Sequence, residues 1–151
     1  ENLKAIAELR ASLEAEIAAR KGEAGRLEGL ITHTRLILGL MSWCEAYGLR
    51  LEELPARPYR VDAAIEGRRV LALVEIAKTG EEADVQQLLE GARTYERLRG
   101  ERPNALVLYI YAERPPEELV RACEEQGIIV ENSPKRIAAR LAELEERWAR
   151  A

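Results

Sequence analysis

The apolar positions change period along the chain, and the changes mark its elements. Leu3, Ile6, Leu13, Ile17, Leu27, Ile31, Leu38 and Met41 fall on the a and d positions of one heptad frame, with Leu9 and Leu30 beside it. This spacing predicts a long amphipathic N-terminal helix. Arg10, Arg20, Ala24 and Thr34 share the frame and weaken the seam, while Gly22 and Gly25 offer a place for it to loosen or break. Residues 1–25 are too polar on their other faces to fold alone. They are expected to pair with another helix, most simply the same segment of a second chain, which makes a homodimer the expected state. Folding back as a hairpin about Gly22 and Gly25 is the intramolecular alternative. The stretch from Arg26 to Tyr47 is expected to pack on the domain that follows.

Beyond that helix the period drops to two. Val61, Ala63 and Ile65 alternate with Asp62 and Ala64, and Val70 to Ala77 is apolar except for Glu75, which reads as two strands around a turn at Gly67. In an antiparallel hairpin with an even-length loop, paired positions sum to an odd number. Asp62 then shares a face with Leu71, Leu73, Glu75 and Ala77. A two-residue loop at Glu66 and Gly67 leaves the two carboxylates offset, whereas a four-residue loop from Gly67 to Val70 sets Asp62 opposite Glu75.

The remaining elements follow from caps and breakers. Thr79-Gly80-Glu81-Glu82 has a capping-box pattern, predicting a helix whose apolar stripe is Val85, Leu88, Leu89, Ala92 and Tyr95 and which closes at Gly100 and Pro103. Asn104 to Tyr111 reads as a strand covered on both faces. A short helix from Pro115 and Pro116 to Gly127, a short strand at Ile128 to Val130, and a last helix capped by Ser133-Pro134 complete the chain. The predicted order αββαβαβα is that of an α/β sandwich around a mixed sheet.

At 151 residues the chain has room for one domain and an appendage. A net charge of −4 argues against coating nucleic acid by bulk electrostatics, although a local basic strip needs only a few residues. Arg57, Arg60, Arg68, Arg69, Arg93 and Arg97 supply candidates for phosphate contacts. Cys44 and Cys123 lack metal-ligand spacing and read as small buried hydrophobes. The sequence has no apolar run of signal-peptide or membrane-spanning kind, so a cytoplasmic protein without a membrane partner is expected. His33, the only histidine, reads as a polar seam or surface residue. No serine-hydrolase set, glycine-rich phosphate loop, zinc pattern or dinucleotide fingerprint is present.

The chemistry therefore rests on Asp62 and Glu75. An ionised carboxylate among Leu71, Ala72, Leu73, Val74 and Ile76 is costly to bury unless a cation or donor meets it. Two carboxylates on one face can hold Mg²⁺ or Mn²⁺, ions that prefer oxygen and keep several waters.

An Asp on one strand and VEIAKTG on the next, followed by DVQQLLEGARTYE, resembles the PD-(D/E)xK nuclease superfamily. The likeness is to small archaeal members that carry such a domain behind a coiled coil. It implies a restriction-endonuclease-like three-layer sandwich at residues 26–151, after a coiled-coil segment at residues 1–25. It implies metal-dependent hydrolysis of DNA at Asp62 and Glu75. Gln87, with Gln86 beside it, matches a glutamine that orients metal, water or backbone, and Glu45 matches a helix carboxylate that some members add to the metal site. The motif lysine departs from the pattern: its position is Ala77, and Lys78 reaches the same face only through a strand bulge. Two functions are therefore expected as alternatives, a nuclease-like domain with an impaired site or a non-enzymatic dimeric module that binds DNA or protein and retains the fold.

Overall fold

The computed structural model describes residues 2–112 and 114–150, with the side chains of all but residues 2 and 17–28. Helix α1 runs from Asn2 to Ala46, and it is unbroken at Gly22 and Gly25. The hairpin about those glycines is thus not formed. Contacts divide the chain into Glu1–Leu36 and Ile37–Ala151.

In the first unit, Leu3, Ile6, Leu9, Leu13, Leu30 and Ile31 are exposed, from 83% at Leu3 to 52% at Ile31. The expected seam positions Ile17, Arg20, Ala24 and Leu27 lie outside the described side chains.

The second unit is an α/β fold on a mixed five-stranded sheet, in the order β1-β2-β3-β4-β5. Strands β1 (Arg50–Glu53), β2 (Ala63–Glu66) and β3 (Leu71–Ala77) form an antiparallel meander, with a helical turn, α2 (Ala56–Tyr59), between β1 and β2. Helix α3 (Glu82–Arg99) then crosses to β4 (Ala105–Ile110), and α4 (Glu117–Glu125) crosses to β5 (Ile128–Glu131); both new strands are parallel to their predecessors. Helix α5 (Pro134–Arg150) follows. Strand β1 and turn α2 were absent from the expected order. Both segments are only four residues long, and β1 is mostly charged with only Leu51 buried, as suits an edge strand whose charges discourage further pairing.

Crossovers between parallel strands are right-handed as a rule, and these two step the same way across the sheet, which puts α3 and α4 on one face. Their buried residues Val85, Leu88 and Cys123 accordingly share one apolar cluster with Leu71, Leu73, Ala77, Leu108 and Ile110. Strand alternation sends Ala63, Ile65, Ala72, Val74, Val107 and Tyr109 to the other face, and all six are buried. Helix α5 covers that side, beside Ala105 and Ile129. The end of α1 buries Ile37, Leu40 and Cys44, none of which belongs to the cluster under α3 and α4.

The β2–β3 connection is the four-residue loop from Gly67 to Val70. Gly67 N–H donates to the Val70 carbonyl at 2.8 Å, and the Glu145 carboxylate of α5 accepts from the N–H groups of Arg69 and Val70, each at 2.8 Å.

Candidate active site

Paired residues of β2 and β3 sum to 137, so the register carries Asp62 opposite Glu75. The ladder itself stops at Ala63. There Asp62 takes over with its side chain, its Oδ2 accepting from the Ile76 N–H at 2.7 Å, while its own N–H donates to the Val74 carbonyl at 3.0 Å. Asp62 is thereby tied to β3 on either side of Glu75, by its carboxylate to Ile76 and by its backbone N–H to Val74.

Glu75 shares the face of Leu73 and Ala77 under α3, and it is only 6% exposed. Among the described residues it is the one buried charged side chain, and its Oε2 has no hydrogen-bond partner. Burial, then the adjoining Asp62 carboxyl, then the charge of Asp84 push its pKa up to about 9, while the Gln87 amide opposes the rise. Among the described residues no basic side chain offsets that rise. With no cation beside it, Glu75 therefore favours its protonated form at neutral pH.

The first turns of α3 supply the rest of the site. The helix starts two residues later than its sequence pattern suggests: Asp84 Oδ2 accepts from the Glu81 N–H at 3.0 Å, making Glu81 the N-cap in place of Thr79. Strand-like pairing persists to Lys78, whose carbonyl accepts from the Ala112 N–H at 3.1 Å, and so delays the cap. Asp84 joins the site from this turn. The sequence offers no sign of that role, because an acid in a first helical turn reads as a partner of the helix dipole.

Gln87 lies one turn further on, with its Nε2 donating to the Arg60 carbonyl at 2.6 Å. Arg60 adopts a left-handed backbone, φ 63°, immediately before Val61 and Asp62. Gln87 thus links Glu75 to the bend that delivers Asp62. Gln86 beside it is exposed.

Two expected residues lie elsewhere. Lys78 is exposed, and β3 pairs with β4 without a bulge from Ala72 to Ala77, so alternation turns Lys78 away from Glu75. Ala77 occupies the lysine position and packs in the apolar cluster at 8% exposure. Glu45 is exposed on the last turn of α1, next to Cys44, outside the set of groups acting on Glu75. Arg68 and Arg69 sit in the loop at the far end of the hairpin from Asp62.

Both cysteines are buried thiols, with Cys44 pushed up to about 12 chiefly by desolvation. They behave as the small hydrophobes expected from their spacing. Among the described residues, no helix is long and apolar enough to cross a membrane.

The oxygen donors suit a hard divalent ion, and the orphaned Glu75 Oε2 is the atom such an ion would satisfy. Among the described residues no three acidic, cysteine or histidine side chains converge as a ready-made cage. An ion held at Asp62 and Glu75 would have to keep most of its waters. No family model, no curated protein and no solved structure matches this chain.

Proposed function

We propose that the domain is a PD-(D/E)xK-type, nuclease-like module with a restriction-endonuclease-like core, in which Asp62 and Glu75 hold Mg²⁺ or Mn²⁺ beside a DNA phosphodiester. The observation that carries this reading is the buried Glu75 carboxyl, orphaned at Oε2, with Asp62 fixed opposite it. A structural ion pair would have placed an arginine or lysine there. The order of meander, helix and parallel strand supports the same reading.

When bound, the ion would supply Lewis acidity toward a water or phosphoryl oxygen. The residues of the chain do the positioning. Asp62 is anchored by the Ile76 N–H, Gln87 braces the Arg60 carbonyl, and Asp84 adds negative charge that favours a cation at Glu75. Glu75 must give up its proton to become a ligand. What the site lacks is a cation to stabilise charge developing on the phosphate, and one such donor is worth on the order of 10²–10³ in rate.

The packed Ala77 and the outward Lys78 favour a second reading, in which the domain binds DNA as a dimer without cutting it. Both readings place two copies together along α1, whose exposed Leu3, Ile6, Leu13, Ile31 and Leu38 support a seam with a second chain.

Cleavage of supercoiled and branched DNA with Mg²⁺ or Mn²⁺ distinguishes them. Wild type is expected to cut slowly or not at all. Ala77→Lys, which aims an ammonium along the face of Glu75, is expected to raise the rate, and adding Glu75→Ala to remove the gain. Robust wild-type cleavage that disappears in Lys78→Ala would contradict the assignment of an impaired site.

A further inference from the structure

Helix α3 carries Gln87, Glu90, Thr94 and Arg97 at spacings of three and four, so these residues form one stripe along its surface. Gln87 belongs to the carboxylate site. The rest of the stripe, with Arg57, Pro58 and Arg60 from the α2 turn, lines a cleft of about 480 Å³. Glu90 pairs with Arg60 at 3.5 Å and offsets one of the three arginines. Arg57 and Arg97 have no carboxylate partner among the described residues, so the cleft keeps two positive charges on a chain whose net charge is −4.

We infer that this cleft is a phosphate-backbone subsite, in which Arg57 and Arg97, with the Thr94 hydroxyl, grip DNA a few nucleotides from the phosphodiester at Asp62 and Glu75. The inference rests on the proposed nuclease-like reading and adds the surface that would hold the substrate. Guanidinium groups suit this task because their planar forks pair with phosphate oxygens and stay charged at any working pH.

The spacing agrees. Seven residues of helix separate Gln87 from Thr94, roughly 10 Å at about 1.5 Å per residue, and a DNA strand advances one phosphate per ~3.4 Å of axis. The Thr94 end of the cleft is therefore about three phosphates from Gln87 along that direction, while its Arg60 end adjoins the carboxylate site. Its volume exceeds what one phosphate needs and lies within the range of pockets that hold larger ligands. That favours a sugar-phosphate segment over a free anion. The Gln87–Arg60 hydrogen bond ties the cleft to the bend carrying Asp62, so both subsites sit on the same rigid elements.

The test uses the full chain. Binding of a fluorescent 20-base-pair duplex is measured across salt concentrations for wild type, Arg57→Gln, Arg97→Gln and the double variant, with inorganic phosphate as competitor at constant ionic strength. The inference expects each substitution to lower the slope of log affinity against log salt by about 0.9, irrespective of DNA sequence, and millimolar phosphate to leave the duplex bound. Unchanged slopes in the double variant, or no duplex binding by wild type, would overturn it. Displacement of the duplex by millimolar phosphate would assign the cleft to a small anion and also overturn it. Mn²⁺ binding to the same proteins, followed by water proton relaxation, separates the two ideas. Normal Mn²⁺ binding with unaltered DNA slopes sinks the subsite alone, whereas arginine-dependent DNA binding without Mn²⁺ binding sinks the metal-site reading and leaves the subsite standing.

Discussion

Glu75 is where stability and chemistry oppose one another. Its folded pKa of about 9 lies above the ordinary value of 4.5, so between those limits the native state holds a proton that the unfolded chain has lost. Its contribution to stability is complete below pH 4.5 and declines as pH rises toward 9, by up to about 1.4 kcal/mol per pH unit. Glu75→Gln keeps the shape and removes the titration. Thermal melts from pH 5 to 9 without metal should therefore show a flatter profile for the variant and a higher Tm than wild type at pH 8. A wild-type profile unaffected by the substitution would mean that Glu75 is not protonated in the fold. The oddity of this residue is legible in the sequence, because a carboxylate inside an eight-residue apolar run needs an explanation. Asp84 is not, since only the tertiary fold brings the first turn of α3 against β3.

At the scale of elements, parity placed Asp62 and Glu75 on one face because side-chain alternation is a property of any strand. Distance depends on the loop, and Glu145, 75 positions from Val70, helps fix that loop through hydrogen bonds that no local pattern encodes. Lys78 shows the same limit in reverse: only the unbroken β3–β4 ladder establishes that no bulge turns it inward. Helix α3 is held against the α2 turn by two devices. Arg99 donates from Nε to the Tyr59 hydroxyl at 2.8 Å and from Nη2 to Glu52 at 2.8 Å, with its guanidinium 5.4 Å from both the Tyr59 and Tyr95 rings. Gly91 lets the Tyr59–Val61 segment lie on the helix, since a Cβ there would strike Val61 Cγ1 and come within 3.2 Å of the Tyr59 carbonyl oxygen. Gly91→Ala should cost about 1–3 kcal/mol by overpacking and weaken divalent-ion binding, because the displaced segment leads into Asp62. Arg99→Ala should lower stability, because it removes the cation–π contacts and the hydrogen bonds to Tyr59 and Glu52. Urea denaturation of both variants, with Mn²⁺ titration of the first, reads these effects. A destabilised Gly91→Ala protein with undiminished ion affinity would separate the close approach from the site.

For the whole molecule, the heptad frame would constrain how two copies meet in the proposed dimer. A parallel pair in register would stack Arg10 on Arg10 and Arg20 on Arg20 along the seam, two like-charge contacts in a partly dehydrated interface. An antiparallel pair whose facing positions sum to 44 removes both. It sets Arg10 against Thr34 and Arg20 against Ala24, while Leu3 meets Met41, Ile6 meets Leu38, Leu13 meets Ile31 and Ile17 meets Leu27. The exposure of Leu38 beside the buried Ile37 and Leu40 leaves the C-terminal end of this stripe available. Sedimentation at micromolar concentration should give a dimer. Oxidative cross-linking should join Leu13→Cys chains to Ile31→Cys chains, and join Leu13→Cys chains to one another poorly. Efficient Leu13→Cys self-linking would show a parallel pair, and a monomer would remove the α1 seam as an interface.

The most direct test of the carboxylate site is a calorimetric titration of Mn²⁺ into the full-length protein at pH 7.5, in two buffers of different ionisation enthalpy. The ion must displace the proton held on Glu75, so the account predicts saturable binding of one ion with release of about one proton, both lost in Glu75→Gln and in Asp62→Asn. Absence of binding at millimolar Mn²⁺, or binding with the same proton release in either variant, would contradict it.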